Sequence, residues 1–210
     1  MVSSNVVVIA ALSILVIAIS ITVHEFMHGF ASNALGDDTA KQSGRLTLNP
    51  LKHIDPFTTV LLPIILLLSH LPPFGAAKPV PFNPSKLKFD EFGAAIVGVA
   101  GPISNLLLAI FGGIVIRTTG TLNSDLWVTW WWLFIIINIG FFIFNLIPFP
   151  PLDGSRVLYA FSPEPVQKIM VQIENLGFFA IIAFMIIIFP LLSSILGKLD
   201  ENLVKLVIGI

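Results

Sequence analysis

The stretch VVVIAALSILVIAISITV (residues 6–23) runs without a break into His24-Glu25-Phe26-Met27-His28. As a helix the apolar part covers about 27 Å, nearly the thickness of a bilayer's hydrocarbon core. Only small hydroxyl residues interrupt it. The helical pattern continues to Asn33 and is expected to stop near Gly36. Three ionisable groups at the end of such a span are expensive in hydrocarbon and need partners or a function.

Composition sets the class. Of 210 residues, 56% are hydrophobic and 11% charged, against about 25% charged in an average soluble domain. So few charges cannot cover a soluble surface, which points to a multi-pass membrane protein. The formal net charge of −1 gives no reason to expect nucleic acid. With no cysteine, disulfides and thiolate metal sites are excluded. A metal must then be held by His, Asp or Glu, and there are only four His.

Three further full spans are expected at Phe92–Ile116, Trp127–Ile147 and Leu176–Leu196. Trp127, Trp130, Trp131 and Trp132 open the second of these like an interfacial aromatic belt. Leu199–Ile210 is amphipathic, a pattern suited to lying along the interface. Phe57–Leu71 is apolar but makes only about 22 Å of helix. The fold expected is an all-α polytopic bundle of about four full spans. One short re-entrant or peripheral segment and short strands in the cytoplasmic loop, at Arg45–Leu48, complete it. Residues 1–210 are read as one membrane-embedded domain, with a catalytic core over about 5–156 and a C-terminal span and tail over 176–210.

Basic residues give an orientation. Lys41, Arg45, Lys52, Lys78, Lys86 and Lys88, six of the eleven Lys and Arg, fall between residues 36 and 91. The positive-inside rule places that segment in the cytoplasm. No Lys or Arg precedes Lys41, so the first span is expected to be retained with its N-terminus on the other side.

His24 and His28, at i and i+4, stand one above the other on a helix and can reach one ion. Glu25, beside the first ligand, can take a proton from an attacking water. A catalytic zinc usually has three protein ligands and an open position. Asp153 is the best third candidate, in Asn145-Leu146-Ile147-Pro148-Phe149-Pro150-Pro151-Leu152-Asp153-Gly154. The prolines must break the helix there and free backbone groups. The plainer alternative is that Asp153-Gly154 is only an interfacial turn.

The chain resembles the site-2 protease family of intramembrane zinc metalloproteases. The resemblance rests on His24–His28, on Ala100-Gly101-Pro102-Ile103-Ser104-Asn105 and on Asn145–Gly154, in the family's order. Gly44–Pro50 and Ala77-Lys78-Pro79-Val80-Pro81 look like the compact prokaryotic branch, which has no PDZ domain. The resemblance implies one zinc per chain on His24, His28 and Asp153, with Glu25 activating water. It also implies cleavage of a transmembrane protein or peptide near the cytosolic face of the cell membrane. In the resemblance Asn105 faces the active site, where an amide could hold substrate or stabilise an oxyanion. The alternative for Asn105 is a polar contact between helices. Asn145 either shares such a role or caps a broken helix. His53 and Asp55 suit an anchoring interfacial turn more than an approach to the zinc site from the loop, and His70 is expected at the interface. Glycines 101, 112 and 113 suit close helix packing.

Sharing one ion also constrains topology. His28 and Asp153 must end on the same side, so an odd number of crossings lies between their helices. Phe92–Ile116 supplies one, and Phe57–Leu71 should therefore not cross. The rival function is a non-proteolytic membrane protein with a structural or transport zinc site. Structural zinc wants four protein ligands, and transport wants more ionisable residues along the spans. An exposed strand at Arg45–Leu48 could pair with an unwound substrate, or only pack against its own loop. Substrate identity and oligomeric state are not legible.

Overall fold

The computed structural model describes residues 2–61, 65, 68, 77–119 and 125–209. Four of its helices are long and apolar enough to cross a membrane. They are α1 (Val2–Ala34), α3 (Asp90–Thr119), α4 (Asp125–Asn145) and α7 (Phe178–Ile208). Short helices α2 (Thr39–Gln42), α5 (Gly154–Phe161) and α6 (Glu164–Asn175) lie between them. Large apolar side chains such as Val7, Leu107, Phe179 and Leu191 are exposed on the spans, as a lipid-facing surface requires.

The central helix is α3, and its small residues set how closely the others approach. A Cβ on Gly112 would lie 3.0 Å from Ile135 of α4. One on Gly113 would lie 2.5 Å from the Val207 carbonyl of α7, and one on Gly98 would lie 2.9 Å from the Asp153 carbonyl. Small residues are the usual means by which helices approach where lipid gives no hydrophobic drive. Near the far end of α3, Ala109, Ile135, Ile139 and Val204 form a buried cluster.

Helix directions follow from the pairings. The Lys88 N–H donates to the Leu35 carbonyl, His28 meets Val97, and Asn105 meets Ser20, so α1 and α3 are antiparallel. Asn105 meets Asn138, and Phe111 meets Trp131, so α3 and α4 are antiparallel as well. Thus α1 and α4 run the same way. The start and end of the apolar segment after His53 also meet, because the Lys78 N–H donates to the His53 carbonyl at 2.9 Å. Of Phe57–Leu71 itself, only residues 57–61, 65 and 68 are described, and the expectation that it does not cross lies mostly outside the described residues. So does His70. Pro56–Leu61 forms a wide helical turn, with Asp55 Oδ1 accepting the N–H groups of Phe57 and Thr58 at 2.9 Å each.

Two expectations are corrected. Among the described residues there is no strand, and Arg45–Leu48 is bent at Leu46 and Thr47. The backbone there bonds locally instead of forming a ladder. The Thr47 N–H donates to the Arg45 carbonyl at 3.0 Å, and His53 Nε2 donates to the Thr47 carbonyl at 2.8 Å. A strand without a neighbouring strand has no ladder to stabilise it. The second correction concerns the tail. Phe178–Ile208 is one helical run containing a wider stretch at Phe184–Ile188. Its amphipathic end is turned inward, with Val204 buried in the cluster against α3 and α4. Arg117, at the end of α3, donates to the Leu206 carbonyl at 2.6 Å and ties down the helix end.

The candidate metal centre

His24 and His28 lie on α1 about 16 and 10 Å before its Leu35 end, at 1.5 Å per residue. A Schellman-type end closes the helix there. Gly36 has φ +107°, and the Asp37 N–H donates to the Ser32 carbonyl at 3.0 Å.

Both imidazoles are held from behind. His28 Nδ1 donates to the Val97 carbonyl at 2.7 Å, and His24 Nδ1 lies 2.6 Å from Asn105 Oδ1. A carbonyl oxygen can only accept, so each Nδ1 carries a proton, and Nε2 is the nitrogen each ring turns toward Asp153 and could offer to a metal. The two Nε2 atoms are 3.0 Å apart. Asp153 Oδ2 completes the triangle, 3.1 Å from His24 Nε2 and 3.4 Å from His28 Nε2. A tetrahedral zinc about 2.0–2.1 Å from each donor spaces its donors by roughly 3.3 Å. The donor set therefore fits zinc in chemistry and in size. Among the described residues, these three form the one group of acidic and imidazole side chains gathered closely enough to hold an ion.

The chain reaches this arrangement through two close approaches. At Gly101 a Cβ would sit 2.4 Å from His28 Nε2 and 2.7 Å from His24 Nε2. The glycine is thus the wall against which the imidazoles stand. At Gly154 a Cβ would lie 2.2 Å from the Leu146 carbonyl. The chain doubles back there after the proline-broken end of α4 and brings Asp153 toward α1.

Glu25 is buried, and its Oε2 accepts the backbone N–H of Val80 at 2.9 Å. That places the extended Ala77–Pro81 loop over the glutamate. Arg45, also buried, holds the loop through the Lys78 carbonyl and, at 3.3 Å, the Pro79 carbonyl.

Other residues singled out in the sequence are placed differently. The Asn105 side chain is fully buried, with Nδ2 donating to Asn138 Oδ1 at 2.8 Å and to the Ser20 carbonyl at 3.3 Å. Its amide protons are committed within the bundle, and its oxygen faces His24. Asn145 Nδ2 donates to the Phe141 carbonyl of its own helix at 3.0 Å. His53 is outside the donor group and anchors the loop through Thr47 and Lys78. Asn138 and the Val80 amide were not singled out in the sequence. A lone amide within the apolar run Leu133–Phe144 was the available signal for Asn138; a backbone N–H leaves none.

A helical membrane bundle that gathers two imidazoles and a carboxylate at one point, with Glu25 next to the first imidazole in sequence, has the donor set of a membrane-embedded metalloenzyme. The family model described as peptidase family M50 matches residues 12–188, and the chain belongs to that family. It is 37% identical to YwhC of Bacillus subtilis over 193 residues, covering 87% of this chain and 83% of that protein. It is 30% identical to Rip2 of Mycolicibacterium smegmatis over 184 residues, covering 82% and 67% respectively. Both relatives are named as zinc metalloproteases. No solved structure matches the chain. The protein is a multi-pass membrane zinc metalloprotease.

Proposed function

We propose that this protease hydrolyses peptide bonds within or beside transmembrane segments of other proteins, close to the cytoplasmic face. The observation that carries the proposal is the depth of the donor triangle. His24, His28 and Asp153 meet beside the glycine face of α3, inside the bundle, about 10–16 Å from the Leu35 end of α1. That end adjoins the segment rich in Lys and Arg, so the positive-inside rule supports a site opening toward the cytoplasm.

In this reading His24, His28 and Asp153 hold one zinc. Zinc, when bound, supplies a Lewis acid that acidifies water and polarises the scissile carbonyl. Glu25 is the general base. One carboxylate oxygen is fixed by the Val80 amide, leaving the other to accept the proton of the attacking water and pass it to the leaving nitrogen. A substrate helix must unwind locally, because its carbonyls are otherwise engaged in i→i−4 bonds. The irregular Leu146–Asp153 stretch supplies non-helical backbone beside the site, tolerated at membrane depth where it lines a polar cavity.

Purified protein with Glu25→Gln tests this. The expected result is loss of cleavage of a transmembrane reporter with zinc retained at one per chain. Unchanged cleavage would remove Glu25 as the base.

A further inference from the structure

A chain of amides connects the first metal ligand to a neighbouring span, and its direction is fixed at both ends. Asn138, in the middle of α4, is fully buried. Its Nδ2 donates to the Phe134 carbonyl at 2.8 Å. A backbone carbonyl can only accept, so the Asn138 NH2 must face it and the Asn138 oxygen must face the other way. That oxygen meets Asn105 Nδ2 at 2.8 Å. The second acceptor of Asn105 Nδ2 is the Ser20 carbonyl, again a group without a proton. Asn105 is thus obliged to turn its oxygen toward His24, 2.6 Å away.

We propose that Asn138 is a positioning residue of the metal centre, acting through Asn105 to hold His24 in the tautomer whose Nε2 lone pair faces the ion. This rests on His24 being a zinc ligand. A wrongly turned Asn105 would present NH2 to His24 and favour the tautomer with the proton on Nε2, which cannot ligate. Without Asn138, the Asn105 amide loses its nearer acceptor and keeps only the longer contact to Ser20. Outer partners of ligating histidines are worth roughly 10–100-fold in metal affinity. An amide one step further out should sit at the lower end.

The geometry separates this role from simple helix adhesion. An Asn138 that only joined α3 to α4 would affect unfolding and leave zinc affinity alone. One acting through Asn105 would lose its effect once Asn105 is gone.

The test is zinc affinity in the purified full chain, measured by chelator competition. The cobalt-substituted absorption spectrum is a second readout that needs no turnover. Asn138→Leu keeps the volume and removes the acceptor; about 10-fold weaker zinc and an altered cobalt spectrum are expected. Asn138→Asp keeps an oxygen toward Asn105 and should restore most of the affinity. Asn105→Leu should weaken zinc further, and the Asn105→Leu/Asn138→Leu double variant should be no weaker than Asn105→Leu alone. Wild-type affinity in Asn138→Leu, or fully additive losses in the double variant, would overturn the proposal. If Asn138→Leu does not fold, the Asn138→Asp affinity decides alone, with a loss as large as that of Asn105→Leu counting against the role. Failure of the wild-type chain to bind zinc, or undiminished zinc binding in His24→Ala, would instead remove the ligand assignment on which this rests.

Discussion

Glu25 and Val80 are 55 residues apart in sequence and joined by one hydrogen bond, the Val80 N–H donating to Glu25 Oε2 at 2.9 Å. A carboxylate accepting a backbone N–H is held more firmly than one on a neutral surface contact, because the bond is charge-assisted. The loop carrying Val80 is fixed in turn by Arg45. Arg45→Ala should therefore loosen Glu25, the proposed general base, without touching a proposed metal ligand. Expected are an unchanged zinc content and a fall in reporter cleavage of about 10–100-fold, the scale of an ångström-sized misplacement. Zinc quantification beside a cleavage assay checks this. Higher cleavage in the variant would instead make the loop a cover over Glu25.

Gly101 makes a sharper prediction. Alanine is the better helix former by about 1 kcal/mol in an ordinary helix interior, so Gly101→Ala should not harm α3 as a helix. Its added Cβ, however, would fall 2.4 Å from His28 Nε2. Neither imidazole can retreat, since both are fixed through Nδ1. The variant should fold and lose zinc affinity by roughly 100-fold or more, beyond the usual effect of an outer-shell change. Isothermal titration of the apo variant would show it, and wild-type affinity would mean that the imidazoles do not stand against this glycine.

The gathering of His24, His28 and Asp153 could be read in the sequence, for specific reasons. His24 and His28 announce themselves because i and i+4 share a helix face, and Asp153 because three prolines precede it after an apolar span. The short strand at Arg45–Leu48 was misread because alternation says nothing about where a partner lies. His53 took the Thr47 carbonyl, and Arg45 turned to the 78–79 carbonyls. The tail was misread for a related reason. An amphipathic pattern marks a buried stripe without saying whether lipid or protein buries it, and here α3 and α4 cover Val204. Asn138 could not be ranked, since a single amide in a span carries no period. Its meaning comes only from the carbonyls at Phe134 and Ser20.

Asp37 anchors the loop that returns from α1. It is fully buried, and Oδ2 accepts the Ser32 hydroxyl at 3.0 Å and the Asn83 N–H at 2.6 Å. Oδ1 accepts the Thr39 N–H at 3.0 Å. Burial pushes its pKa up, but the hydrogen bonds from Thr39, Asn83 and Ser32 outweigh this and hold it below the ordinary 3.8. A depressed folded value stabilises the charged form. That stability is complete above the unfolded value and is lost as pH falls through the folded one. Thermal unfolding should thus show this contribution intact at neutral pH and fading only below about pH 4. Asp37→Asn replaces one acceptor with a donor facing N–H or O–H groups, and should cost about 1–3 kcal/mol at neutral pH. An Asp37→Asn variant as stable as wild type would show that the loop does not depend on this anchor.

The topology can be tested without touching the site, because the chain has no cysteine to remove. The Lys88 N–H meets the Leu35 carbonyl, and the Lys78 N–H meets the His53 carbonyl. Whatever path the chain takes between residues 53 and 78, it leaves and returns at one level. Lys52, Lys78 and Lys88 are all exposed at that end, while Thr118 is exposed at the opposite end of α3. Single substitutions Lys52→Cys, Lys78→Cys and Lys88→Cys should react with an impermeant thiol reagent only when the cytoplasmic face is opened to it. Thr118→Cys should react in intact cells. If Lys52→Cys and Lys78→Cys labelled from opposite sides, an extra crossing would separate them. The bond from Lys78 to His53 would then be impossible, and the Val80 amide could not reach Glu25 from the same side.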